Sequence, residues 1–141
     1  MNLLRKAASL ALITVLMLAP AFATQTPLTV QQLKLNNYAV SPGDLTLTFT
    51  ACDASNGNSF LFTGYEIVIV KNTDTSAHTF TISSVPDQLG RSDTTLTGYS
   101  VAASASSIIE MKYTTGWIQS GGTAYMSCSS NLISFAVVRF Q

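Results

Sequence analysis

The sequence predicts an all-β fold, a single small β-sandwich or barrel of jelly-roll type with seven to eight short antiparallel strands. Three observations carry that expectation. Leu45-Thr46-Leu47-Thr48-Phe49-Thr50-Ala51 alternates apolar and polar residues strictly, the period of a half-buried strand. Apolar runs recur about every 8–12 residues between turn-forming clusters. No stretch beyond residue 30 has the 3.6-residue periodicity of a useful helix.

The first 23 residues read as a processing segment that precedes this fold. Arg5 and Lys6 form a positive n-region, Ala7 to Ala19 is apolar, Pro20 ends any helix and Ala21-Phe22-Ala23 is a small-x-small cleavage pattern. The apolar run falls short of the ~18–20 residues that an uncleaved membrane anchor needs. A signal peptide over 1–23 leaves a domain over 24–141, in which 24–35 is expected to be an extended arm or an extra strand. A chain of that length fits one domain. The expected localisation is secreted, periplasmic or cell-surface.

Without the signal, five basic residues face seven acidic ones. That mild excess of acid supplies no basic stripe for phosphate contacts, which disfavours nucleic acid and acidic membranes as partners. Serine and threonine form roughly a quarter of the domain, a composition that suits solvent-facing strand positions.

The strands follow in order. Ser41-Pro42-Gly43-Asp44 and 53–58 bracket the alternating strand with turn chemistry. Tyr65 to Val70 is apolar on both faces apart from Glu66, so it is expected to be central, with Ile67 and Ile69 in the core. Asn72 to Thr75 is expected to turn it into His78 to Ile82 as a hairpin, with Phe80 and Ile82 inward. Strands are further expected at Thr95 to Val101, Ser107 to Tyr113, Thr123 to Cys128 and Ile133 to Phe140.

Candidate chemistry is sparse. Cys52 and Cys128 are the only cysteines, and an even count in an oxidising compartment favours a disulfide over two free thiols. His78 is the sole histidine; it sits past a turn, is expected in solvent, and cannot by itself complete a zinc site. No nucleophile-elbow context accompanies it. Glu66 and Glu110 are the only glutamates. Glu110 has Lys112 two residues on, on the same face, and Glu66 is expected to meet solvent or Arg91 at a strand end. The loop from Asp53 to Asn58 has oxygen ligands and a glycine but lacks the acids of an EF-hand, and reads as an Asx-rich turn. Trp117 precedes Gly121-Gly122 and, with Tyr113 and Tyr125, is a candidate platform for stacking on sugar; the other reading has it closing one end of the core. No catalytic residue, cofactor site or metal site is expected.

One resemblance goes further. Asn56-Gly57-Asn58-Ser59-Phe60, then Thr63-Gly64, then the glutamate-led strand Glu66-Ile67-Val68-Ile69-Val70-Lys71-Asn72 resemble motifs of small capsid decoration, or cement, proteins of tailed bacteriophages. Gly90-Arg91, Thr97-Gly98-Tyr99, Gly116-Trp117-Ile118-Gln119 and Ile133 to Arg139 continue the same order, so the resemblance spans about Leu28 to Phe140. It implies a compact β domain that binds a protein lattice by its surface, without catalytic residues. The signal peptide and the cysteine pair depart from that family, and suit a domain put to use outside the cell. The expected function is therefore a non-enzymatic exported structural module with protein partners, by self-assembly or on a surface lattice; the alternative is a secreted polysaccharide-binding module around Trp117.

Overall fold

The computed structural model describes residues 24–32, 46–86, 96–112 and 115–140. The expected signal peptide, Arg91 and Tyr113 lie outside them. The described residues form ten strands and no helix: β1 (Thr26–Pro27), β2 (Val30–Gln32), β3 (Thr50–Ala51), β4 (Asn58–Leu61), β5 (Tyr65–Asn72), β6 (His78–Ile82), β7 (Tyr99–Val101), β8 (Ser106–Lys112), β9 (Thr123–Cys128) and β10 (Ile133–Arg139).

Two sheets hold these strands. The first has the order β1-β4-β9-β6-β7; the second has the order β2-β10-β5-β8, with β3 also paired to β10. Neither closes into a barrel, and their inward faces share one apolar core, a sandwich-like layout. Phe60, Phe80, Ile82, Val101, Ala124 and Met126 enter that core from the first sheet; Val68, Val70, Met111, Ile133, Phe135 and Val137 enter it from the second. The Phe80 and Phe135 rings meet edge to face across it, centroids 6.0 Å apart, a geometry that aromatic quadrupoles favour.

The all-β expectation stands, with several corrections. The pairing is mixed, not wholly antiparallel, since β1 runs parallel to β4 and β2 parallel to β10. Among the described residues of the alternating segment the strand is Thr50–Ala51; Thr48 instead meets β2, where the Gln31 side-chain amide donates to the Thr48 carbonyl and accepts from the Thr48 backbone amide, both at 2.8 Å. Residues 96–98 are a turn ahead of β7. The described part of the N-terminal arm, 24–32, holds two strands, divided between the sheets at Leu28, which is buried in the core.

The largest correction concerns β5 and β6. They do not form a hairpin: β5 lies between β10 and β8 in one sheet, and β6 between β9 and β7 in the other. The connection arches across the core, and a buried side chain fixes it. The Asn72 amide donates to the carbonyls of Ser76 (2.8 Å), Val101 (3.1 Å) and Ala102 (3.1 Å), tying the arch to the end of β7. Strand β5 is central as expected, but its register places Val68 and Val70 inward, while Ile67 and Ile69 are half-buried on the outer face.

The expected disulfide joins Cys52 to Cys128 across 76 residues, with Cα atoms 6.5 Å apart. Cys128 belongs to β9 of the first sheet, and the Cys52 amide donates to the Ile133 carbonyl of the second. The bridge therefore staples sheet to sheet. Closing a loop of that length stabilises the fold by roughly 4–5 kcal/mol in the chain-entropy account.

Candidate functional site

Among the described residues several polar groups with potential chemistry have defined positions. Glu66 opens β5 facing inward and is about 1% exposed, so its charge must be met by donors. The chain folds back at Thr63-Gly64 to supply them. Amides of Thr63, Gly64 and Tyr65 donate to Oε2 at 2.9, 3.0 and 3.1 Å, and the Thr63 hydroxyl donates to Oε1 at 2.7 Å. Arg139 Nε donates to Oε1 at 2.6 Å from the facing position on β10, and its Nη2 donates to the Leu61 carbonyl at 3.1 Å. Burial pushes the Glu66 carboxyl up, but the Thr63 hydroxyl and amide, Arg139 and the Tyr65 amide together hold it below the ordinary 4.5. Glu66 is thus a buried, ionised clasp partnered by Arg139, not a strand-end acid in solvent.

His78 is half-buried, correcting the solvent expectation, and its Nε2 lies 2.6 Å from the Asp74 carboxylate on the arch. That contact, with the Thr75 amide, lowers the Asp74 pKa. Asp53 is held to about 2 by the backbone amide and side chain of Asn56 and by the Thr26 hydroxyl. Its oxygens cap a tight Asx turn, with Ser55 and Asn56 amides donating to Oδ1 at 3.0 and 2.9 Å. Gly57 closes this turn at φ +75°, where a Cβ would stand 2.5 Å from the Tyr125 hydroxyl. Among the described residues no group of three His, Cys, Asp or Glu is placed to hold a metal ion.

Of the three aromatic residues expected as a stacking platform, Trp117 and Tyr125 lie among the described residues. Trp117 is half-buried and packs against the core. Tyr125 points outward from β9, and its hydroxyl donates to the Asn56 carbonyl at 3.1 Å, steadying the same turn.

The feature that sequence reasoning missed is the outer face of the second sheet. On β5 and β8 the outward pairs are Tyr65 with Lys112, Ile67 with Glu110, Ile69 with Ile108 and Lys71 with Ser106. Toward β10 this face is covered: Ala136 and Val138 are buried, and Phe49 lies 5.8 Å from Lys71 Nζ. Toward β8 it is open. Tyr65 and Ile108 are each 70% exposed, and Phe140 is 44% exposed. A groove of about 220 Å³ runs here, lined by Tyr65, Ile67, Glu110, Met111, Lys112 and Phe140. The signal for it was present in the sequence, since β5 is apolar on both faces while only one face can look into the core.

In comparisons with known proteins, no family model matches the chain, and no curated protein or solved structure matches it either.

Proposed function

We propose that the protein is a non-enzymatic exported structural module that assembles outside the cell membrane through its β-sheet surfaces, in the manner that the resemblance to phage capsid decoration proteins implies. The observation that carries this reading is the open apolar face formed by Tyr65, Ile67, Ile69 and Ile108 on β5 and β8. Large side chains left out of the core on one face of a sheet are characteristic of surfaces that meet another protein. The groups that a catalyst would need support the same reading, because Glu66, Asp53 and Asp74 all spend their oxygens on loops and neighbours of the fold. The disulfide is consistent with an oxidising, extracellular compartment.

Size-exclusion chromatography with electron microscopy tests the proposal on the purified disulfide-bonded protein. The expected result is self-association or attachment to a cell-surface or particle lattice, lost in a Tyr65→Ser/Ile108→Ser variant that still folds. A strict monomer that attaches to no lattice overturns it. Retention on insoluble polysaccharide, abolished by Trp117→Ala, would transfer the role to sugar binding around Trp117, Tyr113 and Tyr125.

A further inference from the structure

We propose that Asn56-Gly57 is a site of spontaneous deamidation which the Asp53 turn holds in check, and that its conversion to aspartate or isoaspartate frees strand β1 from the first sheet. Asn56-Gly57 is the sole Asn-Gly pair in the sequence. Such a pair is chemically labile because glycine, without a side chain, leaves its amide nitrogen unhindered beside the asparagine carboxamide. The fold nevertheless calls for both residues. Position 57 has φ +75°, and a Cβ there would stand 2.5 Å from the Tyr125 hydroxyl and 2.6 Å from the Met126 carbonyl, so it requires glycine. Position 56 supplies a donor to an anion, its Nδ2 donating to Asp53 Oδ2 at 3.1 Å.

In the reaction the Gly57 nitrogen attacks Asn56 Cγ and gives up its proton, closing a five-membered succinimide, while the Cγ–Nδ2 bond breaks and ammonia leaves. Water then opens the ring at either carbonyl, leaving an ordinary aspartate or an isoaspartate whose main chain runs through the side chain. The native turn opposes the first step at both reacting groups. The Gly57 N–H is committed to the Asp53 carbonyl at 2.8 Å, and the Asn56 carboxamide is held on Asp53 Oδ2. The Asn56 backbone is pinned as well, its amide by Asp53 Oδ1 at 2.9 Å and its carbonyl by the Tyr125 hydroxyl at 3.1 Å. Ring closure therefore waits for the turn to open, a local event whose frequency these bonds set.

The same carboxylate anchors β1. Thr26 Oγ1 donates to Asp53 Oδ2 at 2.9 Å, the Thr26 amide donates to the Gly57 carbonyl at 3.0 Å, and the Leu28 amide donates to the Ser59 carbonyl at 2.7 Å. Conversion replaces the Nδ2 donor with an anionic oxygen set against Asp53, itself an anion at neutral pH because its carboxyl is held at about 2. Isoaspartate also inserts a methylene into the main chain just ahead of Gly57, whose carbonyl receives Thr26. Either product drives Asp53 away from Thr26 and breaks the first rungs of β1 on β4, so chemistry at position 56 is transmitted to the N-terminal strand.

The test holds the disulfide-bonded protein at mildly alkaline pH beside a synthetic peptide of residues 53–60. Aspartate and isoaspartate at position 56 are quantified by mass spectrometry with electron-transfer fragmentation, and near-UV circular dichroism confirms that each variant folds. The peptide should convert roughly tenfold faster than the protein. Thr26→Val and Tyr125→Phe, each removing one bond from the turn, should speed conversion in the protein by roughly three- to tenfold. Asn58, buried in β4, should stay intact. Converted wild-type protein, separated by its added negative charge, should exchange the Thr26 and Leu28 amides roughly tenfold faster than unconverted protein, with protection across β5 and β10 unchanged. Asn56→Asp should reproduce that change. Equal rates in protein and peptide overturn the restraining role of the turn. Absence of product at position 56 in the wild type and in both variants overturns the site itself. Converted protein in which Thr26 and Leu28 keep their protection overturns the link to β1.

Discussion

The two ends of β5 are both closed by a buried polar side chain, and they are held in opposite ways. At the entrance Glu66 is a charge that accepts five hydrogen bonds, four of them from the three residues just before it. At the exit Asn72 is neutral and donates to carbonyls that lie in the arch and at the end of β7, about thirty residues away along the chain. A carboxylate suits a local loop whose amides converge on one point. An amide suits a junction where carbonyls of separate segments must be drawn together. The first end organises its own turn, and the second organises the relation between sheets.

The comparison breaks most visibly at Glu66. Replacing it with leucine takes the acceptor away from the amides of Thr63, Gly64 and Tyr65 and from Arg139 Nε, so Glu66→Leu should cost about 3–5 kcal/mol, read from urea denaturation. Asn72→Ala should cost less, about 1–3 kcal/mol, because carbonyls tolerate a missing donor better than amides tolerate a missing acceptor. Amide exchange should then separate the two. The glutamate variant should lose protection around 61–66, and the asparagine variant around the arch and 99–102. The reverse assignment would show that the two ends share one cooperative unit.

Proton linkage sharpens the same contrast with the smallest effect. The carboxyl of Glu66 is held below 4.5 in the folded protein, so its contribution is fully present above that value and is lost as pH falls through the lower, folded-state pKa. Glu66→Gln should therefore flatten the fall in stability below about pH 4.5. Asn72→Ala, which removes no titrating group, should shift the whole curve without changing its acid slope. An acid slope unchanged in Glu66→Gln would assign that loss to Asp53 and Asp74, whose pKa values are also lowered.

Much of the local structure was legible. β6 and β9 occupy the spans that alternation and turn residues predict, β8 begins one residue early, and the cysteines pair as their number suggests. What the sequence withheld was membership. Alternation reports which side of a strand is apolar, but not which sheet owns the strand, so a short polar connector between β5 and β6 reads equally as a hairpin or as an arch. The face of β5 was misassigned for a related reason. Its two apolar faces leave the parity open, and a glutamate in the inward row argues against the true choice, because acids are seldom buried unpaired. The donors that permit it come from Thr63 and Gly64 nearby and from Arg139, 73 residues away, and only the folded chain brings the last of these into place. The open face of β5 and β8 is the other product of that parity.

The final strand has a kinetic meaning as well as a spatial one. β10 is hydrogen-bonded to β2, β3 and β5, so three segments from the first half of the sequence wait for the last. Val30 meets Val137 and Gln31 meets Val138, contacts separated by nearly the whole described chain. Such non-local pairing must meet its loop-closure entropy before any native contact repays it, which slows folding. Until β10 is in place, β2, β3 and β5 lack the strand that joins them, and the second sheet cannot close. Docking of β10 is then the event that joins these segments into one sheet, and the disulfide between Cys52 and Cys128 locks the arrangement in which the Cys52 amide meets the Ile133 carbonyl of β10.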